Sequence, residues 1–406
     1  MTIVVVGTLD TKGEEIAFAR DVIEDAGAET HVVDVGVLGD PPFDPDTPAT
    51  AVAEAAGTSL GALRQGGDRN GAMAAMGEGA ARVVTRLHAA GRLDGVFGLG
   101  GSSNTSMAAT AMRALPIGVP KLIVSTMASG DVNPYVGVSD IAMLHAVADV
   151  AGLNTVSRTV IANGARAVVG MVDGGRAVET DRPTVAITMF GVTTPCVRAA
   201  REVFETRGYE TVVFHATGTG GRAMETLIRE GLIDGVLDVT TTELTDELVG
   251  GVLSAGPDRL RAAGECGIPQ VVVPGATDVI NFGPEASVPA AFDGRRQVAH
   301  TPQVTLIRTT AKEAAAVGAE IATKLDGATG PTTVALPLDG TSKLAVAGEP
   351  FHDPTADTAL FEAIRDGVGD DVDRLEVETH INDPAFARRI AETLDASLRA
   401  TGAAPE

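Results

Sequence analysis

The sequence predicts an α/β protein made of two Rossmann-like, doubly wound parallel-sheet domains with a crevice between them. Short apolar runs alternate with segments of helical spacing along the 406 residues, as in sheets of parallel strands covered by helices on both faces. Gly, Asp, Arg and Pro gather at 173–183, and the strand–helix pattern restarts after them. Since a domain usually takes about 100–200 residues, we predict one domain at 1–180 and a second at 181–406.

The first half opens with the apolar run at 3–6, followed by a helix with Glu14 and Glu15 in its first turn. Carboxylates are favourable there because the amino end of a helix carries partial positive charge. Glycine and polar residues at 66–71 predict a loop. Further strands are predicted at 31–35, 95–99 and 121–125, and further helices at 106–115 and 140–150, the last capped by Ser139.

The second half repeats the order of strand, Gly/Ser/Thr loop and helix, without convincing sequence identity to the first half. The closing segment from about 384 to 398 has the spacing of a helix. The strands predicted in this half are 184–189, 211–214, 235–239, 270–273, 334–336 and 375–379, and the other helices are 195–207 and 222–230.

Composition excludes several classes of function. With 31 Lys and Arg against 54 Asp and Glu, the formal net charge is −23, which opposes binding to nucleic-acid phosphates. Eleven Phe, two Tyr and no Trp provide few stacking platforms for bases. Cys196 and Cys266 are too few for a disulfide scaffold or a multi-cysteine zinc site. No apolar run reaches the ~18 residues of a membrane span, and no signal peptide is recognisable, so we expect a cytoplasmic protein without nucleic-acid or membrane partners.

Three polar loops in the first half follow predicted strands. In open parallel sheets, ligands bind beyond the carboxyl ends of the strands, where the strand order reverses. Glycine lets backbone N–H groups approach a ligand, and a helix N-terminus attracts anions. The residues predicted to bind a phosphate ligand are Gly7, Thr8, Asp10, Thr11, Lys12, Gly100, Gly101, Ser102, Ser103, Asn104, Thr105, Thr126, Ser129, Gly130 and Asp131.

Within these loops, Lys12 can offset phosphate charge, and Asp10 or Asp131 can hold Mg²⁺ directly or through water. The alternatives are that the loops are ordinary tight turns, that Lys12 is a solvated residue and that Asp10 caps a helix. The sequence contains no G-x-x-x-x-G-K-[ST] motif, and GLGGSS at 98–103 does not match G-x-G-x-x-G because its sixth position is serine.

A second set of candidate residues follows strands of the second half. His215 and Glu243 come after neighbouring strands, Asp278 follows a Pro-Gly pair, and His380 ends the last predicted strand. If those strands adjoin, the four side chains can meet for acid–base catalysis or metal binding. The alternative is that each one caps a helix or satisfies a turn.

Five ordered segments together resemble a bacterial and plant family whose members are similar to the N-terminal ATP-binding region of the tomato mosaic virus resistance protein. The resemblance covers nearly the whole chain. The segments are VVVGTLDTKGEE at 4–15, MASGDVNPYVG at 127–137, DVAGLN at 149–154, VVPG at 272–275 and HINDP at 380–384.

This resemblance implies an ATP site in the first of two Rossmann-like subdomains and a homodimer. In some relatives a TIM barrel is fused behind this region or encoded separately, which implies a TIM-barrel partner protein here. The family loop usually reads GGSGGT, whereas this chain has GGSSNT at 100–105. Side chains at Ser103 and Asn104 restrict close backbone approach, so ATP affinity is expected to be altered or lost.

Sequence alone therefore favours a nucleotide-binding protein that takes ATP with Mg²⁺. The first alternative is an enzyme acting on a small carboxylate or phosphorylated metabolite through His215, Glu243, Asp278 and His380. The second is a scaffold for the barrel protein, which a large exposed apolar patch would indicate.

Overall fold

The structure, a computed structural model, describes residues 1–174 and 181–405. These residues form two compact units, one on each side of residues 175–180. The predicted domain boundary after residue 180 lies outside the described residues. None of the described helices is both long enough and apolar enough to cross a membrane.

The first unit is built on a five-stranded, wholly parallel sheet of order β2-β1-β3-β4-β5. Its strand order reverses between β1 and β3, as in doubly wound nucleotide-binding folds. The strands are β1 Thr2–Gly7, β2 Glu29–Asp34, β3 Gly95–Gly100, β4 Lys121–Ser125 and β5 Ala142–His145. The helices are α1 Leu9–Asp25, α2 Ala49–Ala55, α3 Leu60–Gly66, α4 Arg69–Ala89, α5 Ser102–Arg113, α6 Asn133–Val136 and α7 Thr155–Asp173.

Alternation along β1 explains why helices cover both faces of this sheet. Val4 and Val6 join a core with Met76 of α4, whereas Ile3 and Val5 join a core with α1 and α7. Successive side chains of a strand point to opposite faces, so one apolar run supplies two cores.

The second unit has a six-stranded parallel sheet of order β14-β13-β9-β8-β6-β7, which reverses between β6 and β8. The predicted fold class, α/β with two Rossmann-like sheets, is confirmed. The strands of this sheet are β6 Thr184–Met189, β7 Glu210–His215, β8 Gly235–Thr240, β9 Gln270–Gly275, β13 Thr332–Pro337 and β14 Val372–Val377. The helices of the unit are α8 Thr194–Thr206, α9 Thr219–Arg229, α10 Thr242–Val249, α11 Ala262–Cys266, α12 Ala311–Leu325, α13 Pro354–Gly367 and α14 Pro384–Thr401.

The sequence did not predict the small antiparallel sheet of order β10-β12-β11, which lies between β9 and β13 in the chain. Its strands are β10 Val279–Phe282, β11 Gln297–Thr301 and β12 Val304–Arg308. The Thr242 hydroxyl donates to the Val279 carbonyl at 3.2 Å, and the Asn281 N–H donates to Asp246 at 2.9 Å. The sheet therefore packs onto α10 at the carboxyl edge of the second unit, where β8 and β9 end.

Residues 140–150 were predicted to form a helix, and the structure corrects this prediction. Ala142–His145 form β5, an edge strand whose residues pair with β4 from Leu122 to Ser125. Ala, Met and Leu favour helices intrinsically, and pairing with the sheet overrides that preference here. The helix that follows begins at Thr155, where the Asn154 side chain caps it.

Candidate functional site

A cavity of about 820 Å³ opens at the carboxyl edge of the first sheet, at the reversal between β1 and β3. Its walls come from the first turn of α1, the segment after β2, helices α3 and α4, and the first turn of α5. The predicted phosphate-binding residues that line it are Thr8, Asp10, Thr11, Lys12, Gly101, Ser102, Ser103 and Asn104.

Other predicted residues lie elsewhere in the first unit. The Thr105 hydroxyl is buried against the Ser125 hydroxyl at 2.7 Å, and Asp131 accepts the Asn133 N–H at 3.0 Å. The loop after β4 is one strand further from the reversal than the loop after β3, which explains why it contributes less. The predicted residues that are not part of the cavity wall are Gly7, Gly100, Thr105, Thr126, Ser129, Gly130 and Asp131.

Helix α5 begins in the cavity wall without a capping side chain. Gly101 is its N-cap, and the preceding Gly100 takes a φ of +148°, which glycine adopts readily. Asn104 is only 4% exposed; its Nδ2 donates to the Leu99 carbonyl at 2.7 Å, while its Oδ1 has no partner. The first N–H groups of a helix have no acceptor within the helix, so this end can receive an anion.

Asp10 links α1 to the segment after β2 instead of capping a helix. Its Oδ2 accepts the N–H groups of Leu38 at 2.6 Å and Gly39 at 3.2 Å. Its Oδ1 is closed to solvent and has no partner. A carboxylate is a ligand that suits a divalent cation, but this oxygen would first have to turn toward the cavity. Asp131 offers no such oxygen to the cavity wall.

Behind Asp10, the buried Asp34 carboxylate ends β2 and accepts the N–H groups of Leu9 at 3.0 Å and Gly36 at 2.8 Å. Burial raises the pKa of Asp34, and these two N–H groups act against that rise. Asp34 therefore fixes the backbone from which Asp10 projects.

Three cations line the cavity among the described residues, and only Lys12 was predicted. Lys12 has non-helical backbone angles, φ −132° and ψ 22°, and its ammonium group donates to the Val150 carbonyl. Arg64 donates to the carbonyls of Val37 at 2.6 Å and Gly39 at 3.1 Å. Arg69 donates to the Ser103 hydroxyl at 3.1 Å. The glycine-rich segment at 66–71 contains Arg69 and was its only sequence signal, whereas Arg64 lies outside that segment.

Another part of the cavity wall is apolar, and it was also missed from sequence. It includes Val37 and Leu38 after β2, Leu63 of α3, Met73 of α4 and Met107 of α5. Leu38 is 84% exposed although its backbone N–H is held by Asp10. A cavity with one polar and one apolar wall can hold a ligand that has both kinds of surface.

In the second unit, Glu243 is fully buried and has a structural role. Its Oε1 accepts the N–H groups of Gly218 at 2.7 Å and Gly221 at 3.0 Å, and its Oε2 accepts Arg259 Nε at 2.6 Å. Arg259 also binds both oxygens of Asp238, at 2.5 and 2.7 Å. Burial acts against the charge of Arg259, but its carboxylate partners outweigh burial and hold the pKa of Arg259 above its ordinary value.

Asp278 is 1% exposed and accepts the hydroxyls of Thr341 at 3.1 Å and Ser342 at 2.7 Å. Burial raises the pKa of Asp278. The loop from β9 into the small sheet carries Asp278, and the segment after β13 supplies its partners Thr341 and Ser342. In this structure the carboxylates of Glu243 and Asp278 are thus closed to a substrate.

The two histidines are more accessible. His215 is exposed, stacks on Phe190 at 5.5 Å between ring centroids and contacts the Met189 carbonyl through Nδ1 at 3.1 Å. His380 is half-buried, and its Nδ1 accepts the Asn382 N–H at 3.1 Å. Within residues 181–405, no described hydrogen bond or ion pair joins any two of the four predicted catalytic side chains. The described residues also contain no cluster of three or more His, Cys, Asp or Glu able to hold a metal ion.

Both units match domain models of one known protein family. Residues 1–177 match the model of the uncharacterised protein family UPF0261, N-terminal domain, and residues 182–398 match the C-terminal domain of the same family. The chain belongs to the UPF0261 family.

Relatives in this family come from bacteria and plants. A UPF0261 protein of Clostridium tetani is 48% identical over 394 residues, which cover 97% of this chain and 98% of that protein. A second, from Rhizobium meliloti, is 46% identical over 388 residues, covering 95% of this chain and 96% of the relative. The tomato ToMV resistance protein Tm-1 is 44% identical over 310 residues, 74% of this chain but only 41% of the tomato protein.

Proposed function

We propose that this UPF0261 protein binds a nucleotide, ATP with Mg²⁺, in the cavity of its first domain. The observation that carries the proposal is the position and composition of that cavity. It lies at the reversal of the strand order, and it joins a polar wall that includes the uncapped start of α5 to an apolar wall. A nucleotide has the same division between phosphates and base.

The residues that would hold the ligand follow from this division. The first N–H groups of α5 and the hydroxyls of Ser102 and Ser103 would face phosphate oxygens. The Asp10 carboxylate would hold Mg²⁺, directly or through a water molecule, after a side-chain rotation that exposes its buried Oδ1 to the cavity, and the metal would neutralise phosphate charge. Leu38 and Met73 belong to the apolar side that would contact the base.

The residues at 103 and 104 leave room for this ligand. Asn104 turns its amide back to the Leu99 carbonyl, and Ser103 contacts Arg69. The cavity of about 820 Å³ exists with both side chains present, and this volume is within the usual range of small-molecule sites. We therefore propose altered affinity for ATP, not loss of the site.

Calorimetric titration with ATP–Mg²⁺, ADP–Mg²⁺ and AMP is the direct test. We expect micromolar binding of ATP that weakens as phosphates are removed, because each phosphate adds charge-assisted hydrogen bonds to the polar wall. No heat of binding at millimolar ATP would contradict the proposal.

Replacing Asp10 by asparagine tests the metal. Asparagine keeps an acceptor oxygen for the Leu38 N–H but removes the charge. We therefore expect ATP affinity in Mg²⁺ to fall at least as much as when a group supporting a metal ligand is lost, roughly 10- to 100-fold. Affinity measured in excess chelator should be unchanged. Asp131→Asn makes the same charge change away from the cavity wall and should bind like the wild type. Equal affinities of the Asp10 and Asp131 variants in Mg²⁺ would count against a metal at Asp10.

The same variant separates a binding module from an ATPase. Phosphate release by the wild type that disappears in Asp10→Asn would indicate hydrolysis at this site. Binding without phosphate release would indicate a regulatory or binding role. The alternative enzyme of the second domain gains no support, because two of its four proposed side chains are buried and already bonded.

A homodimer, a TIM-barrel partner protein and a cytoplasmic location stay predictions from the sequence. The tomato relative is more than twice as long as the region that matches this chain. Sedimentation of the purified protein, alone and with a co-encoded barrel protein, tests the two association predictions together.

A further inference from the structure

We propose that Arg69 binds the terminal phosphate of the nucleotide and that Ser103 positions its guanidinium group. The site would then select nucleotides by the number of their phosphates. This inference rests on the proposed function and assigns a specific role to a residue of the same cavity.

Two of the three described cations of the cavity wall are already bonded to backbone carbonyls. The ammonium group of Lys12 is bonded to the Val150 carbonyl, and the guanidinium of Arg64 is bonded to two backbone carbonyls. Both groups therefore hold the protein's own backbone. Arg69 makes one described hydrogen bond, from Nη2 to the Ser103 hydroxyl at 3.1 Å. A guanidinium has five N–H donors, so most donors of Arg69 remain available to a ligand.

The position of Arg69 places these donors beside the anion-binding end of α5. Arg69 is the first residue of α4, and Ser103 is the second residue of α5. Helix α4 is capped by Asp68, whose Oδ1 accepts the Asn70 N–H at 3.0 Å. Helix α5 has no capping side chain, and the buried Asn104 in its first turn has an unpartnered oxygen. The unsatisfied polar groups are thus at α5, next to the free donors of Arg69.

The hydroxyl of Ser103 can serve both neighbours. A serine hydroxyl accepts one hydrogen bond through a lone pair and donates another through its hydrogen. Here it accepts from Arg69, which leaves its own hydrogen for a phosphate oxygen. Ser103 is therefore a positioning residue for Arg69 as well as a donor in its own right.

Charge balance explains why one arginine would matter. Among the described residues that line the cavity, Asp10, Asp68 and Asp149 offset Lys12, Arg64 and Arg69, and the whole chain carries −23. A triphosphate is therefore not attracted by overall charge. It needs a directed contact, and a planar guanidinium matches two phosphate oxygens at once.

Titration of Arg69→Met tests the inference, with ATP, ADP, AMP and inorganic tripolyphosphate as probes. Methionine keeps an apolar stem and removes the charge. The variant would lose the charged hydrogen bonds between Arg69 and the terminal phosphate. We therefore expect the affinities for ATP and for tripolyphosphate to fall roughly 10- to 100-fold. AMP affinity should change less than about twofold, since AMP lacks the phosphate that Arg69 would reach. Arg69→Lys should lose part of the ATP affinity, and Ser103→Ala should have a smaller effect in the same direction.

Arg86→Met is the matched control, because Arg86 lies on the same helix outside the cavity wall and should leave all affinities unchanged. Thermal denaturation of each variant excludes unfolding. An unchanged ratio of ATP to AMP affinity in a folded Arg69→Met variant would overturn the inference while leaving nucleotide binding intact. If the wild type fails to bind ATP but binds tripolyphosphate in a way that depends on Arg69, the proposed nucleotide ligand is wrong. The proposed contact between Arg69 and a phosphate then stands. Failure to bind either probe would overturn both.

Discussion

Replacing Ser102 by glutamate should strongly weaken ATP binding while leaving the fold intact. Ser102 is the exposed first residue of α5 and lines the cavity, and no side chain caps the helix before it. A carboxylate at this position gains about 0.3–1 kcal/mol from the helix dipole. It also lies where the phosphates are proposed to bind, and close like charges cost several kcal/mol. We therefore expect ATP affinity to fall more than about 100-fold without a lower melting temperature.

Ser106→Glu is the control for this experiment. Ser106 is exposed on the same helix, one turn further on, and is not part of the cavity wall. Calorimetry should find wild-type affinity in this variant, and thermal denaturation should find both variants folded. Wild-type ATP affinity in Ser102→Glu would mean that no phosphate lies at the start of α5.

Replacing Arg259 by methionine should destabilise the second domain by about 3–5 kcal/mol, the usual cost of removing one partner from a buried ion pair. Arg259 is 1% exposed and binds Asp238 and Glu243, which are both fully buried. Without the guanidinium, two carboxylates keep their burial and lose their counter-charge. Urea denaturation of the full chain should move the transition of the second domain to lower urea, and ATP affinity in the first domain should not change.

Arg229→Met is the matched comparison. The Arg229 side chain is 41% exposed and contacts Glu265 at 3.0 Å and Glu225 at 3.9 Å. Glu225 also lies 3.5 Å from Arg259. Exposed ion pairs contribute at most about 1 kcal/mol, so this variant should lose little stability. Equal losses of stability in both variants would show that burial of the Arg259 cluster does not determine how much the cluster stabilises the domain.

Much of the fold could be predicted from the sequence because parallel strands buried on both faces are short apolar runs. The runs at 121–125 and 184–189 became β4 and β6 with those same bounds. The antiparallel strands at 279–308 mix polar and apolar residues, and β5 consists of residues that favour helices. Their strand character depends on the pairing partner, which no local pattern contains.

The candidate site was predictable where its residues follow strands that are neighbours in one parallel sheet. The ends of β1 and β3 are neighbours in the sheet, so their loops meet, and Asp10 and Ser102 line one cavity. Arg69 comes from a helix 34 residues before Ser103, and only tertiary packing brings the two together. Residue type likewise did not reveal that Glu243 is buried against Arg259.

The burial of carboxylates at the strand ends of the second domain affects how the two domains can diversify. In the first domain, the edge at which we propose ligand binding consists of loop and helix-end residues, which the sheet supports. In the second domain, the equivalent edge holds buried carboxylates that are bonded within the protein, so we expect their loss to lower stability. New ligand preferences can therefore evolve in the first domain by substitutions that leave the packing of the core unchanged. A new site in the second domain would first require the release of a residue such as Asp278 from its structural bonds.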